Sequence, residues 1–344
     1  MTAPAPLVRA RDLHVSFVSR DATVKAVNGV DLDLDAGEVL CILGESGSGK
    51  SVTLRALMRL NPPNKAVVSG ELSVAGHDMV TISDRQLSSV RGKVVSMIFQ
   101  EPMTALDPVY TIGRQIGETL VRHEGIGRRE AEQRALELLE LVQIPSAKRR
   151  LQAYPHELSG GLRQRAMIAM AISCRPQLLL ADEPTTALDA TVQIQILLLL
   201  RQLQQELGMG VIFVTHDLGV AGEIADRIAV MYAGRMVEAG STVDVMRGPL
   251  HPYAKGLLGA TVHSGLRGTR LTTIPGSPPD LRHPIEGCAF APRCPHALET
   301  CSAGVPEFRP MQAGRAVRCF RSEEIAGATT RPPSRTTPQG VLLP

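Results

Sequence analysis

Short apolar runs alternate with amphipathic stretches through the centre of the chain. EVLCIL (38–43) and VVSMIF (94–99) predict buried strands. LLLAD (178–182) and VIFVT (211–215) are continuous apolar runs, which are typical of strands buried on both faces of a parallel sheet. SVTLRALMRL (51–60) follows the first run and has the spacing of an amphipathic helix. The pattern therefore predicts an α/β fold around a parallel sheet.

Different patterns flank this core. Within residues 8–37 apolar and polar positions alternate, which predicts two antiparallel strands, and GELSVAG (70–76) is also strand-like. Residues 101–157 are predicted to be helical, because Leu, Val and Ile recur at helical spacing within 126–144. Residues 322–344 are rich in Thr, Pro and Arg without periodicity, which predicts a disordered tail.

A glycine-rich segment joins the first buried strand to the amphipathic helix. GESGSGKS matches the phosphate-loop pattern G-x-x-x-x-G-K-S/T at every fixed position. Its glycines allow backbone N–H groups to point inward at a polyphosphate, and the helix N-terminus adds its positive dipole end. Lys50 is expected to reach the β- and γ-phosphates, and the Ser51 hydroxyl is expected to bind Mg²⁺. The predicted nucleotide-binding residues are Gly44, Glu45, Ser46, Gly47, Ser48, Gly49, Lys50, Ser51 and Val52.

Further motifs follow in a fixed order. They are MIFQEPMTALDP with Gln100, LSGGLRQR from Leu158, LLLADEP from Leu178, TTALD ending at Asp189 and VTHD ending at Asp217. With these motifs the chain resembles the ATP-binding subunits of ABC transporters over roughly residues 8–320. The LSGG signature, followed about twenty residues later by an apolar strand ending in Asp-Glu, makes the resemblance specific.

The resemblance implies the fold and its divisions. We expect a phosphate-loop NTPase core of ABC type, with an antiparallel β subdomain and a helical subdomain that docks on membrane subunits. The implied domains are an ABC ATPase domain over 8–245, with the helical subdomain at about 101–157, and a small cysteine-containing extension over 246–321. The tail at 322–344 follows.

The resemblance also implies residue roles. Glu183 is the expected general base, which polarises the attacking water. Asp182 orients Mg²⁺ through water, and Gln100 completes the metal and water shell. His216 is expected to hold the γ-phosphate or the water near Glu183. Phe17 is a candidate for stacking on adenine, with a place in the hydrophobic core as the alternative.

The LSGG segment is expected to form a second anion site. Ser159 occupies an N-cap position, and Gly160 and Gly161 open the following helix, so bare amides and a hydroxyl gather at a helix start. In the family this cradle closes over the γ-phosphate held by a partner's phosphate loop, and Asp189 lies at that interface. The sequence has one LSGG and one phosphate loop, so the resemblance implies pairing with a second ATPase domain.

Features without an obvious catalytic requirement narrow the type of transporter. LRQRAMIAMAI followed by TTALDATVQIQIL resembles the first of two ATPase subunits in bacterial dipeptide, oligopeptide and nickel importers. HPYAKGLL from His251, IPGSPPD from Ile274 and GCAFAPRCPHALETC ending at Cys301 resemble the C-terminal extension of that group. The implied function is ATP hydrolysis that powers peptide uptake, with nickel or another small solute as the alternative. The implied partners are a sister ATPase in a heterodimer, two transmembrane permease subunits and, indirectly, an extracytoplasmic peptide-binding protein.

Composition agrees with this assignment. Lys and Arg number 37 against 34 Asp and Glu, and no long basic run occurs, so nothing indicates nucleic-acid binding. No apolar run approaches the roughly 18 residues of a membrane span, and the N-terminus lacks the apolar core of a signal peptide. We therefore expect a peripheral protein on the cytoplasmic face of the inner membrane. DNA-repair ATPases carry the same motifs but insert a coiled coil before the signature, where this chain has no sustained heptads, and translation-factor ATPases usually carry two ATPase cores.

Six cysteines fall into two groups. Cys41 and Cys174 lie in apolar surroundings and are predicted to pack as small hydrophobic residues. The others have the spacing C-x5-C-x6-C-x17-C, which lacks the C-x2–4-C knuckles of zinc sites, and a reducing cytoplasm disfavours disulfides. The resemblance implies a four-iron, four-sulfur (4Fe–4S) cluster, with Zn²⁺ or unmetallated thiols as alternatives. The predicted ligands are Cys288, Cys294, Cys301 and Cys319.

Overall fold

The structure is a computed structural model that describes residues 5–20, 22–186, 188–260 and 273–329. Within these residues the fold is built on two β-sheets. One sheet is antiparallel and has the order β2-β1-β4-β5, and the other has the order β11-β12-β10-β9-β3-β8-β7-β6. The strands are β1 (Val8–Val18), β2 (Thr23–Leu34), β3 (Val39–Leu43), β4 (Ala66–Val74), β5 (His77–Asp78), β6 (Val95–Ile98), β7 (Leu178–Asp182), β8 (Gly210–Thr215), β9 (Arg227–Tyr232), β10 (Arg235–Ser241), β11 (Arg309–Pro310) and β12 (Ala316–Val317).

Helices cover the sheets and connect their strands. They are α1 (Lys50–Leu57), α2 (Asp84–Val90), α3 (Pro102–Ala105), α4 (Ile112–Glu124), α5 (Arg128–Leu141), α6 (Ala147–Arg150), α7 (Gly160–Ile172), α8 (Ala190–Leu207), α9 (Leu218–Ile224), α10 (Thr242–Arg247), α11 (Pro252–Gly259), α12 (Glu299–Ala303) and α13 (Ser322–Thr329). Among the described residues, no helix combines the length and the apolar character needed to cross a membrane.

The antiparallel sheet forms where the sequence alternates. β1 pairs with both β2 and β4, and Val8, Ala10, Leu13 and Val15 of β1 are buried. The register shifts near Asp12, which has a φ of 48°, so one extra residue is accommodated between the paired stretches. The two predicted antiparallel strands are therefore confirmed.

The second sheet has a parallel centre. β6, β7, β8, β3 and β9 pair in parallel, and every residue of β3, β7 and β8 is buried. Val39, Cys41 and Leu43 of β3 belong to one hydrophobic core, whereas Leu40 and Ile42 belong to another on the opposite face. Burial on both faces explains why these strands have continuous apolar sequences. The predicted α/β fold class is confirmed.

A group of helices precedes α7, in the region where the helical subdomain is predicted. Thr111 caps the N-terminus of α4, and α4 packs against α5 and α7. Ile116 and Leu120 of α4 share one core with Leu139 of α5. The apolar residues whose spacing predicted helices here therefore pack into the same hydrophobic core as one face of the parallel sheet. The proposed subdomain limits at about 101 and 157 remain a prediction.

The C-terminal extension is bonded directly to the large sheet. β12 pairs with β10, and the fully buried carboxylate of Glu238 in β10 accepts hydrogen bonds from the backbone N–H groups of Leu250 and His251. Arg315 completes this site with a hydrogen bond of 2.7 Å from Nη2 to Glu238 Oε1. A charge in a strand of the large sheet is thus balanced by a cation from the extension.

The predicted disordered tail at 322–344 begins too early. Residues Ser322–Thr329 form α13, in which Ser322 and Ile325 are buried, and Lys255 Nζ donates a hydrogen bond of 3.2 Å to the Ile325 carbonyl. The Pro- and Thr-rich composition belongs to residues 330–344, which lie outside the described residues. The sequence analysis treated residues 322–344 as one segment, so the composition of the longer part concealed the short helix.

Arg315→Met is expected to destabilise the fold by about 3 kcal/mol, because it leaves the buried Glu238 carboxylate without its cation. Thermal unfolding followed by circular dichroism measures the loss. Arg282→Met is a matched control, since the Arg282–Asp280 pair lies in the same extension but is exposed, at 64% and 41%. Equal decreases in Tm for the two variants would contradict this account of Glu238.

Candidate phosphate-binding and hydrolytic site

The loop between β3 and α1 has a backbone that requires glycine. Gly47 and Gly49 have φ angles of 78° and 105°, in the left-handed region. A Cβ on Gly49 would also clash with the Ala26 carbonyl oxygen, and a Cβ on Gly44 would lie 2.7 Å from Ser48 Oγ. The predicted glycine-rich loop therefore forms, and its backbone approaches neighbouring strands too closely for side chains.

Lys50 lies inside this loop. Its side chain is 5% exposed, and Nζ donates hydrogen bonds of 2.8 Å to the Gly44 carbonyl and 3.0 Å to the Glu45 carbonyl. Burial lowers the pKa of Lys50, while the nearby charges of Glu183 and Asp182 oppose the shift. Ser48 Oγ is buried and has no hydrogen-bond partner within the described part of the chain. A cation and a free buried hydroxyl in a cradle of glycines fit a polyphosphate.

Two predicted magnesium ligands lie in direct contact. Ser51 Oγ, in the first turn of α1, donates a hydrogen bond of 2.6 Å to Asp182 Oδ1 at the end of β7. Burial raises the pKa of Asp182, and the Ser51 hydrogen bond opposes that shift. A hydroxyl and a carboxylate oxygen are the hard donors that Mg²⁺ prefers, so this pair fits the ion. Gln100, the third predicted ligand, contacts Glu183 instead.

Two of the residues that the sequence singled out for hydrolysis, Gln100 and His216, converge on the carboxylate of the third, Glu183. Gln100 Nε2 lies 3.3 Å from Glu183 Oε2, and His216 Nδ1 lies 3.4 Å from Glu183 Oε1. Glu183 has a φ of 46°, a left-handed conformation that costs a non-glycine residue about 1 kcal/mol or more. Its side chain is 16% exposed, so it is sheltered and still reached by solvent.

Thr186 is a member of this group that the sequence analysis did not identify. Its Oγ1 donates a hydrogen bond of 2.8 Å to Glu183 Oε2, three residues earlier in the chain. The hydroxyl fixes the orientation of the carboxylate that the sequence proposed as a base. The signal was present in the TTALD motif, where a hydroxyl residue follows the Asp-Glu pair at turn spacing.

The signature segment forms a separate surface. Ser159 is the N-cap of α7, as predicted, and its exposed side chain makes no capping hydrogen bond. Gly160 and Gly161 begin the helix, and a Cβ on Gly161 would lie 2.8 Å from Val192 Cγ1 in α8. Asp189 caps α8 by accepting a hydrogen bond of 3.0 Å from the Val192 backbone. In the described part of the chain, no hydrogen bond or ion pair joins Ser159 or Asp189 to residues of the phosphate loop.

Phe17 keeps both of its expected roles open. It is half-buried near the end of β1, opposite Val24 in β2 and Ala66 in β4. Its ring packs against the core beneath the antiparallel sheet. The core contact is therefore present, and stacking on adenine remains a prediction.

The four cysteines of the extension share one cavity. Cys288, Cys294, Cys301 and Cys319 line it together with His251. Burial raises the pKa of Cys288 and Cys294 and raises that of Cys319 to about 11. Yet among the described residues no group of three or more His, Cys, Asp or Glu side chains is arranged to hold a metal ion. The donor set has the right chemistry for a thiolate cluster, but its geometry is not that of a preformed ligand set.

Cys41 and Cys174 behave as the sequence predicts. Both are free and buried, and Cys41 is fully enclosed within β3. Burial raises the pKa of each thiol, so both remain protonated small groups in the core.

Two sequence families match the chain. The family described as ABC transporter matches residues 27–186, which include the phosphate loop and the Asp182–Glu183 pair. The family described as oligopeptide/dipeptide transporter, C-terminal region, matches residues 237–301.

Curated relatives resemble nearly the whole chain. The dipeptide transport ATP-binding protein of Bacillus subtilis is 47% identical over 321 residues, which cover 93% of this chain and 96% of the relative. The oligopeptide transport ATP-binding protein of Escherichia coli is 47% identical over 320 residues, covering 92% and 94%. A probable peptide ABC transporter ATP-binding protein of Sinorhizobium fredii is 48% identical over 322 residues, covering 93% and 96%.

Solved structures match about two-thirds of the chain. A dimeric ATP-binding cassette in a post-hydrolysis state, bound to ADP and Pi, has a TM-score of 0.62 and is 30% identical, covering 68% of this chain and 98% of that one. A part of an ABC transporter complex from Clostridium perfringens has a TM-score of 0.60 and is 26% identical, covering 70% and 91%.

Proposed function

The chain belongs to the ATP-binding subunits of ABC transporters and is an ATPase of that family, and we propose that it powers the import of dipeptides or oligopeptides. ATP hydrolysis is supported most directly by one observation: Gln100, Thr186 and His216 all contact the carboxylate of Glu183. The peptide assignment is supported by the matching C-terminal region and by the named relatives. These relatives are peptide transporters, which favours peptides over the nickel alternative.

Nucleotide binding follows from the charge pattern around the loop. Lys50 is positioned to neutralise the β- and γ-phosphates, and its present contacts with the Gly44 and Glu45 carbonyls hold the ammonium in place. Ser51 and Asp182 would hold Mg²⁺, whose charge offsets that of the phosphates. Ser51 Oγ donates its hydrogen to Asp182, so its lone pairs would stay available to the ion, while Asp182 would act on Mg²⁺ through water.

Proton transfer is assigned to Glu183. The carboxylate accepts a proton from the attacking water in line with the γ-phosphate. Thr186 orients it by a hydrogen bond, and Gln100 contacts the same oxygen atom. His216 lies beside the other oxygen with its side chain 63% exposed, where it can hold the water or the γ-phosphate.

A second ATPase chain would complete each site. Ser159, Gly160 and Gly161 present a bare helix start to solvent, and Asp189 lies on the adjoining surface. This surface is open to the γ-phosphate bound by a partner, and the ATP-binding cassette that resembles this chain was solved as a dimer. We assign the partner as a sister ATPase in a heterodimer, mounted on two permease subunits at the cytoplasmic face of the inner membrane and served by an extracytoplasmic peptide-binding protein.

The cysteine cavity is proposed to hold a 4Fe–4S cluster, with Zn²⁺ as the alternative. Support comes from the placement of all four cysteines on one cavity in an extension with little core of its own. Burial raises the pKa of Cys288, Cys294 and Cys319, so binding would have to displace their protons and draw the four sulfurs together. The group would hold the extension together and takes no part in hydrolysis.

Glu183→Gln is expected to reduce ATP turnover about 10²–10⁴-fold and to leave ATP binding intact, because the amide cannot accept the proton. Lys50→Ala is expected to weaken nucleotide binding itself. Steady-state phosphate release and nucleotide titration separate the two effects. Glu206→Gln, an exposed change on α8, is the control for loss of a carboxylate. Near-normal turnover of Glu183→Gln would remove its assignment as the base.

Transport by the assembled importer tests the function. The chain should be a poor ATPase when monomeric and become active with its sister ATPase and permease subunits in proteoliposomes. Peptide-loaded binding protein should stimulate hydrolysis and drive peptide uptake, and Ser159→Arg should abolish both without weakening nucleotide binding by this chain. Stimulation by nickel without peptide would establish the alternative cargo. Full activity of a strict monomer, shown by light scattering during the assay, would refute the shared site.

Anaerobic purification tests the cysteine assignment. The protein should contain iron and acid-labile sulfide in equal amounts, and Cys294→Ser should lose both. Cys174→Ser, outside the cavity, should retain them and is the matched control. Stoichiometric zinc without sulfide would show that the metal is the alternative one.

A further inference from the structure

Glu45, the second residue of the phosphate loop, is held from outside by the C-terminal extension. Its carboxylate accepts hydrogen bonds of 2.8 and 3.0 Å from Nη1 and Nη2 of Arg293. Its backbone N–H donates to Tyr253 Oη at 2.8 Å. The two partners lie 208 and 248 residues further along the chain. A loop assigned to nucleotide binding therefore has part of its wall built from the extension.

Arg293 is rigidly placed for this contact. Its side chain is 5% exposed, and Nε donates to the Pro275 carbonyl at 2.8 Å while Nη1 also reaches Tyr232 Oη at 3.2 Å. The rings of Tyr232 and Tyr253 pack together with that of Phe290, at centroid distances between 4.6 and 5.4 Å. The guanidinium thus presents a fixed two-pronged donor to Glu45, which a flexible lysine could not reproduce.

Glu45 also links this contact to the phosphate-binding cation. The Glu45 carbonyl accepts a hydrogen bond of 3.0 Å from Lys50 Nζ. One residue is therefore fixed by Arg293 at its carboxylate, by Tyr253 at its N–H and by Lys50 at its carbonyl. The carboxylate is also a negative charge in a loop built for phosphates, and it would repel them if it were unpaired.

We propose that Arg293 is a positioning residue for nucleotide binding, because it neutralises and orients Glu45 so that the phosphate loop accepts a polyphosphate. This rests on the assignment of the loop as the ATP site. Arg293 does not touch the nucleotide in this scheme. It acts through Glu45. In the chain, Arg293 immediately precedes Cys294, which lines the cysteine cavity.

The test is a double-mutant cycle on the full-length chain, with Mg²⁺–ATP titrated by calorimetry. Arg293→Met should weaken affinity about tenfold, and more at low salt, because the unpaired carboxylate repels phosphate. Adding Glu45→Gln to that variant should restore affinity to within about threefold of the parent, because the repelling charge is then gone. If Arg293 had a purely structural role, Arg293→Met would lower ATP affinity and Tm together, and adding Glu45→Gln would not restore binding. That result would overturn the proposal.

Three further variants complete the design. Glu45→Gln alone keeps the contacts of Arg293 with Tyr232 and Pro275 and should fold, and its own ATP affinity is the reference for that background. On the Glu45→Gln background, Arg293→Met should change affinity by less than about threefold, and a tenfold loss there would overturn the proposal. The double variant has no unpaired carboxylate, so it tests the proposal even if Arg293→Met alone does not fold. Lys50→Ala tests the ATP site independently. If this variant binds ATP like the parent, the assignment of the ATP site fails. If Lys50→Ala loses ATP binding while Arg293→Met keeps the parent affinity, only the role of Arg293 is refuted. Arg282→Met, which breaks an exposed ion pair in the extension, should bind normally.

Discussion

Parallel pairing of β8 with both β3 and β7 sets the position of the charged groups at the site. Leu43 lies opposite Thr215, and Asp182 lies opposite Val214, so three neighbouring strands end at the same edge of the sheet. The phosphate loop, Glu183 and His216 each follow one of these ends. Side chains that are far apart in sequence therefore meet because the strands share direction and register, and a shift of the pairing would separate them.

The same arrangement balances the buried charges. Burial lowers the pKa of Lys50 and raises that of Asp182, so each charge is disfavoured by its surroundings. Each group also stabilises the charged form of the other, and Ser51 adds a hydrogen bond to Asp182. A polyphosphate and a divalent cation carry the charges that would complete this balance. The desolvation of Lys50 and Asp182 therefore favours ligands that carry the complementary charges.

The sequence predicted much of this organisation because its signals are local. Continuous apolar runs predicted β3, β7 and β8, and the strand-loop-helix context put Lys50 and Ser51 at the start of a helix, where α1 begins. The convergence on Glu183 was expected only through the resemblance, since local spacing does not show which strand ends are neighbours. Contacts between distant segments, such as that of Arg293 with Glu45, left no periodic or spacing signal at all. The helix α13 was missed for another reason, because its eight residues were averaged with a tail of different composition.

These long-range contacts change how the extension is understood. Arg315 balances Glu238 inside the large sheet, and Arg293 balances Glu45 at the phosphate loop. Removing the extension would take away the cation and backbone donors of Glu238 and the cation paired with Glu45, so the ATPase portion depends on it electrostatically. In this protein the acidic residues at Glu45 and Glu238 and the basic residues of the extension are matched, so the two parts must be treated as one electrostatic unit.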